Sequence, residues 1–213
     1  MHLAVFGASF DPPHNGHLAL SLFARELLCL DRIIISVSNN PFKQNSGTTD
    51  EHRMCMATLL SREINRTGSC SEVSGWELEK KQPSYTVDLL RHLHLLYPTD
   101  KLTLLVGEDS FRDFSSWKEP DALFSLCDIV VFSRASTRQC RPLHETIREK
   151  REVTMIEFTS PISSTLIRDF VAAGAPFSHL VPPSVHRYIV EHGLYRHLPD
   201  SATSTQALKR PKF

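Results

Sequence analysis

Leu3-Ala4-Val5-Phe6 runs into Gly7-Ala8-Ser9-Phe10-Asp11-Pro12-Pro13-His14-Asn15-Gly16-His17, and Arg32-Ile33-Ile34-Ile35-Ser36-Val37-Ser38 follows. The first run is short, apolar and stopped by glycine, as a buried strand is. The turn-rich stretch holds two prolines and ends at Asn15, a good helix N-cap residue. Leu20, Phe23, Leu27 and Leu30 then recur at helical spacing and predict one apolar face. The β-branched run at Arg32–Ser38 predicts a second strand. Strand, helix, strand in some forty residues is a βαβ unit, which makes the sheet parallel.

The alternation continues. Glu51–Ile64 and Tyr85–Tyr97 read as helices, the latter with Ser84 or Thr86 as cap. Leu102–Val106, Asp128–Phe132 and Val153–Phe158 read as strands. Ser164–Ala173 is a short helix closed by Gly174, and Ser184–His192 a last one closed by Gly193. The expected fold is α/β: a doubly wound, Rossmann-like, mostly parallel sheet with helices on both faces. Residues 1–196 are expected to form one domain, with 197–213 as a polar C-terminal tail that frays.

Composition narrows the function. The chain has 213 residues, 41% hydrophobic and 23% charged, with 24 basic and 24 acidic side chains. That is globular composition, and zero net charge disfavours a general nucleic-acid partner. The stretch Leu18–Leu30 is broken by Arg25 and Glu26, so no membrane helix is expected. Met1–Phe6 is too brief for a signal peptide. Five cysteines without a C-x-x-C pair suggest reduced thiols, and the expected compartment is the cytoplasm.

The Gly7–His17 segment falls at the strand-to-helix junction where doubly wound folds bind ligands. A helix N-terminus offers free N–H groups and a positive dipole end to phosphate. His14 and His17, three apart, can lie on one side, and Gly16 leaves room for a phosphate to approach. The same two histidines with Asp11 could instead be zinc ligands of a metal-dependent hydrolase. Neither G-x-x-x-x-G-K-[ST] nor G-x-G-x-x-G is present. A second phosphate-binding surface is offered by Ile162-Ser163-Ser164-Thr165-Leu166-Ile167-Arg168: Ser163 or Ser164 can cap a helix, and Arg168 lies one turn beyond Ser164 on the same face.

The pair of motifs, G-x-S-F-D-P-x-H-x-G-H and I-S-S-T-x-I-R, resembles the bacterial nicotinate-nucleotide adenylyltransferases of the nucleotidylyltransferase superfamily. Asn40-Pro41-Phe42-Lys43, Pro83–Leu89, Val106–Ser110, Trp117 and Gly193-Leu194-Tyr195 are similar to the same family in the same order. The resemblance runs from about residue 3 to residue 195. It implies the nucleotidylyltransferase fold and transfer of AMP from ATP to nicotinate mononucleotide, with Mg²⁺ accompanying ATP.

By position the resemblance gives His14, His17, Lys43 and Arg168 the catalytic roles. ATP would meet Gly7, Ser9, Phe10, His14, Gly16, His17, Gly107, Asp109, Ile162, Ser163, Ser164 and Arg168. The nicotinate nucleotide would meet Asn40, Lys43, Ser84, Tyr85, Thr86 and Trp117, with Trp117 on the pyridine ring. No metal-ligating residue is assigned. Phe42 stands where the family usually has histidine, and Ala8 where it usually has glycine.

Taken alone, Tyr85 and Thr86 are an ordinary helix start, Trp117 is a core or interface residue, and Asp109 binds ligand or caps a helix. A nicotinamide-mononucleotide adenylyltransferase and a phosphopantetheine adenylyltransferase are the alternatives within the superfamily. No membrane or nucleic-acid partner is expected, and the sequence leaves a homo-oligomer open. The nucleophile, a phosphate monoester, is already ionised at neutral pH. Positioning and charge neutralisation should then carry the reaction.

Overall fold

A computed structural model describes residues 1–39, 48–80, 82–133 and 153–196. Asn40, Phe42, Lys43 and the tail at 197–213 lie outside the described residues. Among the described residues there are six strands: β1 (His2–Ala8), β2 (Arg32–Val37), β3 (Ser71–Ser74), β4 (Lys101–Gly107), β5 (Asp128–Ser133) and β6 (Val153–Glu157). They form one sheet in the order β3-β2-β1-β4-β5-β6, parallel throughout. This is a doubly wound order, and the direction of winding reverses between β1 and β4.

Burial on both sheet faces explains the apolar runs. Leu3, Val5, Ile34, Leu104, Val106 and Ile129 enter one core. It is closed by helices α4 (Thr86–Leu96) and α6 (Pro120–Leu126), with the short α5 (Glu108–Phe111). Ala4, Phe6, Ile33, Ile35, Leu105 and Val130 enter the opposite core, against α1 (Asn15–Leu28) and α2 (Asp50–Ile64). Ile33, Ile34 and Ile35 are all essentially inaccessible, as a strand covered on two sides requires. Each such side chain contributes about 1.5–3 kcal/mol of burial. A third cluster joins α7 (Ser164–Ala172) and α8 (Pro183–Glu191) to Met56 and Leu59 of α2. The turn α3 (Trp76–Glu79) follows β3.

Several expectations are corrected. The N-cap of α1 is His14, with Asn15 already its first residue. Tyr85 caps α4; Ser84 and Thr86 do not. The buried side of α1 carries Ser21 and Ala24, while Phe23 and Leu27 are exposed. Small residues let this helix pack close to its neighbours, so the large side chains turn to its flank. Strand β3 had no apolar signature because it is an edge strand paired on one side only, its side chains half-buried. Ser163 does cap α7, accepting from the Leu166 N–H at 3.1 Å. Gly174 and Gly193, both with positive φ, close α7 and α8: their N–H groups donate to the Val171 and Val190 carbonyls, and those of Ala175 and Leu194 to the Phe170 and Ile189 carbonyls.

Candidate active site

The β1–α1 loop and the start of α7 meet. Arg168 donates from Nη1 to the Asp11 carbonyl at 2.7 Å and from Nη2 to Thr165 Oγ1 at 3.2 Å. Ser164 Oγ donates to the Pro12 carbonyl at 2.8 Å. Residues 1–39 and the Ser163–Arg168 motif are thereby joined within one turn of the imidazole pair. Two further bonds hold the loop: Asn15 N–H reaches the Leu180 carbonyl at 2.9 Å at its far end, and Tyr195 OH donates to the buried Asp11 carboxylate at 2.6 Å.

The His14 and His17 rings lie with centroids 3.7 Å apart. His17 Nδ1 accepts the His14 backbone N–H at 3.1 Å, which satisfies one of the open donors of the helix start. An accepting Nδ1 places the proton of a neutral ring on Nε2 and makes that atom the donor toward a ligand. Phe10, assigned by sequence to ATP, is fully buried and packs against the His17 ring at 5.2 Å. Its side chain supports the imidazole and cannot touch a ligand. Gly16 also has a different reason. A Cβ there would stand 2.5 Å from Ser160 Oγ and 2.9 Å from His14 Nδ1, so the space it leaves is filled by protein.

Burial holds His14 neutral, with its pKa lowered from 6.5 to about 4. Its Nδ1 is buried and has no hydrogen-bond partner among the described residues. The unfolded ring binds a proton at higher pH than the folded one. Stability from His14 is therefore complete above about pH 6.5 and is lost as pH falls toward 4, by up to about 3 kcal/mol. Denaturant melts of the ligand-free protein between pH 7.5 and 5 should show this loss, and His14→Asn should reduce it.

Beside the loop a cleft of about 450 Å³ opens at the carboxyl edge of the sheet, on the β1–β4 switch point. Gly7 and Gly107 form part of its wall, and a Cβ at either would meet nothing within 4 Å. Asp109, Ser84, Tyr85, Thr86 and Trp117 line it too. Asp109 falls in the first turn of α5, whose cap is Gly107, so it sits on the cleft wall and does not cap. Trp117 packs on Phe114 at 5.2 Å between centroids. Sequence reasoning missed Glu77, Ser38 and Lys118 on the same wall. A buried glutamate in Trp76-Glu77-Leu78-Glu79 looks like any helical acid until the fold places it.

Among the described residues no three His, Cys, Asp or Glu side chains form a metal-holding group. Asp11, the third ligand of the hydrolase reading, instead accepts from Tyr195. No helix among the described residues is long and apolar enough to cross a membrane.

The family model for cytidylyltransferase-like domains matches residues 5–170. A protein of Pelodictyon phaeoclathratiforme named "Probable nicotinate-nucleotide adenylyltransferase" is 65% identical over 205 residues, covering 96% of each chain. The chain belongs to the nicotinate-nucleotide adenylyltransferase family. A Chlorobium limicola protein of the same name is 57% identical over 92% of this chain and 99% of its own. The adenylyltransferase fold is also that of the Plasmodium falciparum nicotinic acid mononucleotide adenylyltransferase complexed with NaAD. The two are 20% identical with a TM-score of 0.74, covering 91% of this chain and 97% of that one. The complex of the Plasmodium enzyme with APC gives a TM-score of 0.71 at 21% identity over 91% and 96%. In this family member, the two motifs noticed first meet at the Asp11–Pro12 backbone, and the first of them reaches the cleft wall through Gly7.

Proposed function

We propose that this protein joins ATP and nicotinate mononucleotide to give nicotinate adenine dinucleotide and pyrophosphate, a step of NAD biosynthesis carried out in the cytoplasm. The observation that carries the proposal is the convergence of the α1 and α7 starts on the Asp11–Pro12 backbone, beside a cleft walled by glycines. The relatives at 65% and 57% identity bear the matching name. Residues 1–196 act as one unit in this proposal.

His17, His14, Arg168, Ser163 and Ser164 take the triphosphate. Gly7, Ser9, Gly107, Asp109 and Ile162 take the adenosine side. Ser84, Tyr85, Thr86 and Trp117 take the nicotinate nucleotide, with the open N–H groups of the α4 start facing its carboxylate. Asn40 and Lys43 are assigned by resemblance alone. Mg²⁺ enters with ATP as part of the substrate, held by phosphate oxygens and water.

An ionised oxygen of the acceptor phosphate attacks the ATP α-phosphorus. The bond from that phosphorus to the bridging oxygen breaks, and pyrophosphate leaves with the electron pair. No proton need be removed, so the protein contributes alignment and neutralisation: imidazole N–H, helix N–H and guanidinium toward the charge that grows on the leaving group.

Pyrophosphate release with MgATP, run in parallel with nicotinate mononucleotide and its amide, tests the assignment. Faster turnover on the acid is expected. Faster turnover on the amide makes this a nicotinamide-preferring enzyme, and no turnover on either defeats the proposal.

A further inference from the structure

Ser38 and Asn39 leave β2 with every backbone polar atom engaged. The Ser38 N–H donates to the Ala8 carbonyl at 2.9 Å, and the Asn39 carbonyl accepts from the Ser84 N–H at 3.2 Å. Between them, the peptide unit joining the two residues is gripped at both poles. Its carbonyl accepts from Arg53 Nη1 at 2.8 Å and its N–H donates to Glu77 Oε2 at 3.4 Å. Glu77 is itself buried and accepts from Ser36 Oγ at 2.8 Å. Ser38, Glu77 and Ser84 border the cleft next to Tyr85 and Thr86.

Arg53 has a second attachment. The same Nη1 donates to the Ser9 carbonyl at 3.2 Å, in the loop that leads to His14 and His17. The guanidinium, carried on the buried side of α2, is nine-tenths buried, and Asp50 balances its charge at 2.5 Å. One buried cation therefore ties the backbone of the phosphate-side loop to the backbone that supports the Ser84–Thr86 turn. It lines neither half-site directly.

We propose that Arg53 is a positioning residue that sets the placement of the two substrates relative to one another. The proposal rests on the reaction proposed above. There, two bound anions must be aligned for attack, and a displacement of about 1 Å can cost about 10²-fold in rate. Each half-site keeps its own ligand-facing groups when Arg53 is altered, so binding of either substrate alone should survive while their mutual alignment does not. Lysine cannot replace it, because a compact ammonium lacks the planar fork that spans Asp50 and two carbonyls.

The test uses the full chain carrying Arg53→Lys or Arg53→Met. Pyrophosphate release gives kcat and both KM values, and calorimetry gives the affinity for MgATP and for nicotinate mononucleotide separately. Expected is a fall in kcat of about 10- to 100-fold with both single-substrate affinities within about threefold of wild type. A kcat within about threefold of wild type overturns the proposal, and so does a kcat loss matched by equal losses in single-substrate affinity, the mark of a merely structural residue. If Arg53→Met does not fold, Arg53→Lys, which keeps the charge beside Asp50, decides the matter alone. A wild-type chain that binds neither substrate and releases no pyrophosphate defeats the functional assignment itself, and a wild-type chain that turns over beside an unaltered Arg53→Lys defeats only this inference.

Discussion

His17→Ala lowers kcat by about 10²- to 10³-fold, the usual loss when one preorganised donor is removed from developing charge. The reaction gives the protein few other means of acceleration, because the acceptor phosphate is ionised already and no base is required. His17 is unusually well constrained for this task. Its Nδ1 is engaged by the His14 N–H, its ring lies against His14 on one side, and Phe10 packs against it. Those contacts fix both tautomer and direction, which is what preorganisation means at a single side chain. The same contacts make the variant slightly less stable, by about 1 kcal/mol for the lost hydrogen bond. Circular-dichroism melts should show a folded protein with a modestly lower Tm. Steady-state pyrophosphate release within threefold of wild type would remove His17 from the catalytic set.

Gly107→Val is expected to reduce turnover by about 10²-fold or more, since misplaced reactants lose rate that steeply, while leaving Tm nearly unchanged. Gly107 has φ −74° and ψ 146°, an extended conformation that valine adopts readily. A Cβ there meets no protein atom within 4 Å. The backbone and the space at the Cβ therefore tolerate a branched residue, and a loss of activity without a loss of stability points to what occupies the cleft. Gly16 is the contrasting case, where Ser160 and His14 fill the space and an added methyl would disturb the protein first. Thermal melts and ATP titrations of Gly107→Val separate the two causes. Full activity would place the nucleotide elsewhere; a large loss of stability would mean that the residue serves packing.

The strand–helix alternation was legible because parallel strands buried on two faces are apolar along nearly their whole length, as Ile33–Ile35 and Leu104–Val106 are. The edge strand Ser71–Ser74 was not, because half-exposed serines and a glutamate carry no such mark. At the site, the spacing of His14 and His17 correctly brings the rings together. Spacing could not show that Gly16 yields space to Ser160, which is 144 positions away. Nor could it show that Phe10 turns inward at φ 49° to lie against His17. Arg53 and Glu77 escaped notice because the contacts that tie them to the site are to main-chain atoms of residues 9, 38 and 39, and a backbone group has no letter in a sequence.

The central claim is that the α1 and α7 starts hold one triphosphate between them. Calorimetric affinities of His17→Ala and Arg168→Met for ATP and for adenosine test it most directly. Each variant should bind ATP about 10-fold or more weakly, the loss of a charge-assisted hydrogen bond, and bind adenosine as wild type does. A variant that keeps its affinity for ATP, or loses adenosine to the same extent, would contradict the shared grip.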